Sequence, residues 1–244
     1  MNELLLIGSI FICYGSALLM YRLFDEEGLF CFTAIATIAA NIEVLIVIEA
    51  FGMEMTLGNV LFASTFLVTD ILSEISGKKT AGKAVKIGVA TNIIFIILSQ
   101  WWLSYTPGTS DWAMPAMKEI FSNTPRLMFV GMIVYAIVQA FDVWAYHKWW
   151  EFTDKKWGEH KKFLWLRNNG STLVSQLLNT VLYTWGAFYG VYTTRTLINI
   201  AISSYVIFIV TSLTDTPFVY VARKISDNKK SKKNRIESEK KNAD

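Results

Sequence analysis

The amino-acid sequence predicts an all-α protein, a polytopic transmembrane helical bundle of about seven spans. The chain has 244 residues, of which 53% are hydrophobic, and its mean hydropathy is +0.36. Charged residues are concentrated in a few short segments, and the apolar runs between them reach the roughly 18–20 residues that cross a bilayer. A transmembrane β-barrel would instead show strictly alternating segments of about 10 residues, and the sequence lacks that pattern.

The seven apolar segments follow one another with short polar connections. In chain order, the predicted spans are about 3–22, 28–51, 57–76, 86–105, 127–149, 171–190 and 197–221. The proline-rich connection 105–126 predicts an external cap with a short interfacial helix. Residues 226–244 have no hydrophobic face, so we expect a membrane domain over 1–225 followed by a disordered, charged cytoplasmic tail.

Basic residues indicate the orientation of the spans. They cluster after spans three, five and seven: Lys78, Lys79, Lys83 and Lys86; Lys148, Lys155, Lys156, Lys161, Lys162 and Arg167; Arg223 and Lys224. By the positive-inside rule, the N-terminus lies outside and the C-terminus in the cytoplasm. The net charge of +3 therefore reflects membrane topology and does not indicate nucleic-acid binding.

The sequence offers little for metal, cofactor or catalytic chemistry. Cys13 and Cys31 are isolated, and the two histidines, His147 and His160, lie in or beside a basic loop. Neither pair has metal-ligand spacing, and no nucleotide-binding or HExxH motif occurs. We therefore expect a protein that is not an enzyme and that has no metal or other cofactor.

Polar side chains embedded in the spans are the candidate functional residues. Counting about 1.5 Å per residue from the cytoplasmic ends places Asp70, Asp142, Gln176 and Asp215 roughly 10 Å deep, with Gln139 and Asn179 nearer the midplane. Charged side chains in a span usually face the bundle interior or a hydrated cavity. The common depth of these six side chains predicts a shared cavity.

Some of these polar residues also have purely structural interpretations. Glu74 lies near the cytoplasmic boundary, where a salt bridge with Lys78 at i+4 is an alternative to a place in the site. Pro217 frees the carbonyl of Leu213 and predicts either a kink or a binding-site break beside Asp215. Asp70 and Asp142 are harder to explain structurally, because no basic residue lies within reach in either span.

Several ordered motifs resemble those of a known family. They are TDILSEISGKKTAGKAV (69–85), VQAFDVWAYHKWWEFT (138–153), WLRNNGSTLVSQLLNTVLYT (165–184) and SLTDTPFVYVARK (212–224). Together they resemble the queuosine precursor transporter family, also labelled vitamin uptake transporters. The resemblance implies a six-helix core, with the first span as an added N-terminal helix. It also implies uptake of 7-deazaguanine bases, such as queuine, across the inner membrane of a bacterium.

Two positions depart from the family pattern. Family members often carry an acidic residue where this chain has Asn179, and a lysine within the last span, which here contains none. If these two groups pair in relatives, their joint absence avoids leaving one charge buried alone. The fold is then preserved, while the substrate can differ.

A site for a deazapurine base follows from this resemblance together with the embedded polar residues. Carboxylate and amide side chains suit the donor and acceptor edge of such a base. We expect Asp70, Gln139, Asp142, Gln176, Asn179 and Asp215 to bind the substrate. The expected cytoplasmic mouth is Glu74, Arg167, Asn168 and Asn169. The candidates for stacking on the ring are Phe141, Trp144, Tyr183 and Trp185.

Uptake is expected to proceed by alternating access without ATP, since the chain has no nucleotide-binding motif. Coupling to a proton at Asp70 or Asp142 and facilitated diffusion followed by metabolic trapping both fit the sequence. The alternative is a substrate-binding membrane subunit of an ATP-driven vitamin or nucleobase uptake complex. The expected partners are the small-molecule substrate and the lipid bilayer, and assembly as a homo-oligomer is left open.

Overall fold

The computed structural model describes residues 1–122, 125–157 and 163–241. The elements in these ranges are α1 (Asn2–Glu43), β1 (Val47–Ala50), β2 (Met53–Thr56), α2 (Gly58–Ser76), α3 (Lys78–Trp102), α4 (Met114–Ser122), α5 (Pro125–Trp157), α6 (Leu164–Phe188) and α7 (Thr194–Lys241). His160, Lys161, Lys162 and the last three residues of the predicted tail lie outside the described residues.

The first helix, α1, supplies two of the predicted spans. A straight helix of its 42 residues would be about 63 Å long. The backbone of Asp25 (φ 53°, ψ −133°) interrupts it instead. The segment after α1 returns to the start of the chain, where Asn2 Nδ2 donates to the Glu49 carbonyl (2.9 Å) and the Phe51 amide donates to Glu3 Oε1 (3.3 Å). Asp25 therefore marks the reversal between two antiparallel halves.

The second span ends earlier than the sequence predicts. Helix α1 stops at Glu43, and β1 and β2 form an antiparallel hairpin where a helix was expected to continue to residue 51. The hairpin turns at Phe51 and Gly52, whose φ angles of 54° and 71° are both positive, as in a type I′ turn. We call the bundle end with this hairpin the hairpin side, and the end with the α2–α3 connection the lysine side.

Five helices are long and apolar enough to cross a membrane among the described residues: α1, α2, α3, α5 and α7. With α1 folded back on itself, the prediction of an all-α, multi-pass membrane bundle is confirmed. Helix α2 lies at the centre of the bundle, since 78% of the residues in its 18-residue apolar stretch are buried, against 28–39% in the other four helices. The residues that α2 presents to α1, α3, α5 and α7 therefore determine the interior chemistry.

The contact between α3 and α5 depends on a glycine. A Cβ at Gly88 would coincide with the phenol ring of Tyr135, which is 2% exposed. Gly82 lies in the same helix, and a Cβ there would meet nothing within 4 Å. Only the first of these glycines is therefore required by the packing.

We expect Gly88→Ala to lower the free energy of unfolding by about 1–3 kcal/mol, because the added methyl overpacks the α3–α5 contact. Gly82→Ala, the matched control, is expected to keep or raise stability, since alanine has the higher helix propensity. Thermal unfolding of the two purified variants in detergent compares them directly. Equal midpoints for both would contradict the close approach of Tyr135 to α3.

The last helix continues beyond the segment that the sequence predicts to span the membrane. The sequence predicts disorder from residue 226, whereas the structure has α7 as helix to Lys241. Lys229 explains part of this difference, because its ammonium donates to Asp25 Oδ1 (2.5 Å) and to the carbonyls of Tyr21 (3.3 Å) and Arg22 (2.9 Å). The start of the charged segment is thus fastened to the reversal in α1, where it binds the carbonyls that end the first half-helix.

Candidate functional site

Three aspartates from three helices lie together inside the bundle. Asp70 on α2, Asp142 on α5 and Asp215 on α7 are each at most 1% exposed and interact electrostatically with one another. We call these residues the carboxyl layer. The sequence placed all three at one depth, and the structure brings them together.

Asp70 and Asp142 interact electrostatically within this layer, and Thr172 donates to Asp70 Oδ2 (3.0 Å). Neither oxygen of Asp142 accepts a hydrogen bond from a donor in the described residues, and neighbouring Ser175 donates to the Ser171 carbonyl instead. Buried polar atoms are normally paired. Asp142 is therefore the group in the layer with the largest unused capacity to bind a ligand or a proton.

Asp215 is held by the expected mouth residues. Asn168 Nδ2 donates to Asp215 Oδ1 (2.6 Å) and to Thr216 Oγ1 (3.2 Å), and Asn169 Nδ2 donates to the same hydroxyl (2.7 Å). These bonds join α6 to α7 beside Pro217, where the α7 ladder loses one donor. In this conformation Asn168 and Asn169 fasten two helices together.

The two glutamines differ in their surroundings. Gln139 accepts from Thr69 Oγ1 (3.1 Å) and donates to Thr65 Oγ1 (2.6 Å), so its amide joins α5 to α2. Gln176 is buried, and its Oε1 accepts no hydrogen bond from the described residues. Of the pair, Gln176 has the free acceptor.

A buried ion-pair cluster of Glu74, Arg167 and Arg223 lies toward the lysine side. Glu74 Oε2 accepts from Arg167 Nη2 (2.5 Å) and Nε (3.1 Å), and Glu74 Oε1 is 3.4 Å from Arg223 Nη1. Tyr146 donates to Glu74 as well (2.9 Å), and the Arg167 guanidinium lies 4.4 Å from the Trp150 ring centroid. The alternative of a local salt bridge between Glu74 and Lys78 is wrong, because α6 and α7 bring arginines to Glu74.

A cavity lies on the hairpin side of the carboxyl layer. Its volume is about 70 Å³, which is room for several water molecules. Its lining includes Thr37 and four carboxamides, Asn41, Asn59, Asn92 and Asn179. Its aromatic lining consists of Phe62, Tyr135, Tyr183 and Phe208. We call it the amide cavity.

The structure divides the predicted substrate site between two places. Of the six candidate side chains, Asn179 lines the amide cavity, and the other five do not. Tyr183 is the only one of the expected stacking residues that lines it. Phe141 and Trp144 pack against each other, and Trp144 is 47% exposed on the outside of the bundle.

Sequence reasoning missed most of the cavity lining. Asn59 lies at the start of α2 and Asn92 near the middle of α3, and depth counting from the cytoplasmic ends passed over both. Asn41 is a polar residue within an apolar run, and it donates to Asn92 Oδ1 (2.6 Å). An asparagine in each of three successive spans was the signal that could have located the cavity.

Comparison with known proteins agrees with the resemblance seen in the motifs. The family model described as "Putative vitamin uptake transporter" matches residues 56–222. A Bacillus subtilis (strain 168) protein named "Probable queuosine precursor transporter" is 36% identical over 211 residues, which cover 86% of this chain and 90% of that protein. No solved structure matches the chain. These matches span the helices that build both the carboxyl layer and the amide cavity, and the chain belongs to this family of queuosine precursor transporters.

Proposed function

We propose that the protein imports queuosine precursors, the 7-deazaguanine bases such as queuine, across the inner membrane of a bacterium. The observation that carries the proposal is a polar path in an apolar bundle: the amide cavity lies on one side of the carboxyl layer, and the ion-pair cluster lies on the other. A membrane protein with a purely structural role would have no need to bury carboxylates, carboxamides and arginines, because polar and charged side chains are costly in a bilayer. The name of the Bacillus subtilis relative, which describes a queuosine precursor transporter, supports the choice of substrate.

The transport cycle in this proposal is alternating access without ATP. With the N-terminus outside and the C-terminus in the cytoplasm, the hairpin side faces outward and the lysine side inward. The present conformation then has its cavity toward the outside. On the inside, Glu74 with its two arginines, and Asn168 with Asp215, join α2, α6 and α7. Opening inward requires those contacts to separate.

In the same proposal, the donor and acceptor groups along the edge of the base contact the predicted site residues while the base passes through the bundle. Asp70, Asp142 and Asp215 offer acceptors, and the carboxamides of Gln139, Gln176 and Asn179 offer both donors and acceptors. Glu74, Arg167, Asn168 and Asn169 line the exit. Residues 1–225 form the transporting domain, and the charged segment from 226 lies in the cytoplasm.

Uptake of a radiolabelled precursor tests the proposal in bacterial cells that lack their own transporter. Cells expressing this chain are expected to accumulate label, and unlabelled 7-deazaguanine is expected to compete. Expression of the chain in the membrane without accumulation of label would overturn the proposal.

A further inference from the structure

We propose that the amide cavity is the outward-facing binding site, and that it takes the uncharged, planar heteroaromatic ring of a base that carries no ribose or phosphate. This inference rests on the proposed function and adds the place and the chemistry of recognition. In this inference the substrate ring binds first in the amide cavity, whereas the sequence analysis predicted binding at the carboxyl layer. All but one of the polar residues concerned lie outside the predicted site.

The lining of the cavity determines the charge of its occupant. Asparagine, threonine, aromatic and small apolar side chains make up the lining, and none of its residues is acidic or basic. A phosphate or carboxylate bound there would have no counter-charge in the lining, which is strongly unfavourable at low dielectric. An uncharged ring avoids that cost.

The carboxamide side chains of the lining suit a polar molecule. A carboxamide offers a donor and an acceptor side by side, and the edge of the guanine-like ring of 7-deazaguanine offers the complementary acceptor and donor.

The walls of the cavity suit a flat ring. Phe62 lies against Tyr135, with ring centroids 6.1 Å apart, and against Phe208 at 6.2 Å. Tyr183 borders the cavity from α6, near the position where a Cβ on Gly131 would stand (3.5 Å). Aromatic faces around a small space favour a planar ligand by stacking.

Gly131 gives a direct way to fill this space. Its added side chain would grow beside Tyr183 and Asn41, whereas a Cβ at Gly15 on α1 would meet nothing within 4 Å. Gly131→Leu is therefore a cavity-filling variant, and Gly15→Leu is its matched control. Asn179→Leu is a second test, because it replaces one amide of the lining by an apolar side chain with the same branching.

The experiment measures equilibrium binding of 7-deazaguanine to each purified full-length protein in detergent. We expect Gly131→Leu and Asn179→Leu to raise Kd at least tenfold, Gly15→Leu to leave it unchanged, and guanosine 5′-monophosphate to show no competition. Unchanged binding in Gly131→Leu, or competition by the nucleotide equal to that of the base, overturns the inference. If Gly131→Leu fails to fold, as judged by gel filtration, Asn179→Leu alone decides.

Cell uptake separates this inference from the proposed function. Wild-type uptake with equal uptake by a folded Gly131→Leu protein rejects the cavity assignment and leaves the transporter assignment standing. Absence of uptake by the expressed wild-type protein rejects the transporter assignment itself.

Discussion

Replacing Glu74 by glutamine is expected to lower the free energy of unfolding by about 3–5 kcal/mol, because it removes the carboxylate that pairs with the buried guanidinium of Arg167. The side chain of Arg167 is fully buried, and Glu74 is 4% exposed. Arg223, 17% exposed, loses the same partner. Thermal or denaturant unfolding of the purified protein measures the loss.

The matched control for this change is Glu151→Gln. Glu151 also pairs with a basic residue near the lysine side, Lys148 at 2.6 Å, but both side chains are more than half exposed. Water and salt screen such a pair, so its removal should leave the unfolding midpoint unchanged. Equal midpoints for the two variants would mean that the buried cluster does not hold α2, α6 and α7 together.

Replacing Asp142 by asparagine is expected to reduce precursor uptake about tenfold to a hundredfold. This is the loss that corresponds to one hydrogen bond to a charged group, about 1.5–3 kcal/mol. Asp142 has two buried carboxyl oxygens with no donor in the described residues, and it lies beside Asp70 at the centre of the carboxyl layer. Asparagine preserves the shape of the side chain and removes the charge, so the fold should be retained.

Initial rates in cells, divided by the amount of protein in the membrane, measure this effect. Asp227→Asn is the control, since Asp227 is exposed on the part of α7 beyond the bundle. Asp142→Ala should lose at least as much uptake as Asp142→Asn. Normal uptake by Asp142→Ala at normal expression would remove this residue from the transport path.

The membrane bundle and the carboxyl layer were predictable from local properties of the sequence. Span positions follow from the lengths of apolar runs, and each of the seven predicted spans corresponds to a helix or to half of one, although α7 continues to Lys241 and the helix of the second span stops at Glu43. There the hairpin turn at Phe51 and Gly52 interrupts an apolar run that continues in sequence. The common depth of Asp70, Asp142 and Asp215 follows from rise per residue, which needs no knowledge of packing.

The partners of these residues were not predictable in the same way. A local rule suggested Lys78 as the salt-bridge partner of Glu74, yet the partner is Arg167, 93 residues away, which only the tertiary arrangement of the helices brings near. The amide cavity depends equally on tertiary shape. It exists where Gly131 has no side chain and where Asn41 and Asn92, 51 residues apart, meet across α1 and α3.

Reconstitution of the purified chain alone into liposomes tests the central claim most directly, namely that this protein moves a deazapurine base by itself. The measurement is the entry of radiolabelled precursor into vesicles without ATP or any other protein. The account predicts saturable entry that 7-deazaguanine inhibits and that Asp142→Asn largely abolishes. Entry no faster than into protein-free vesicles, with transport restored only by a separate ATPase complex, would contradict it.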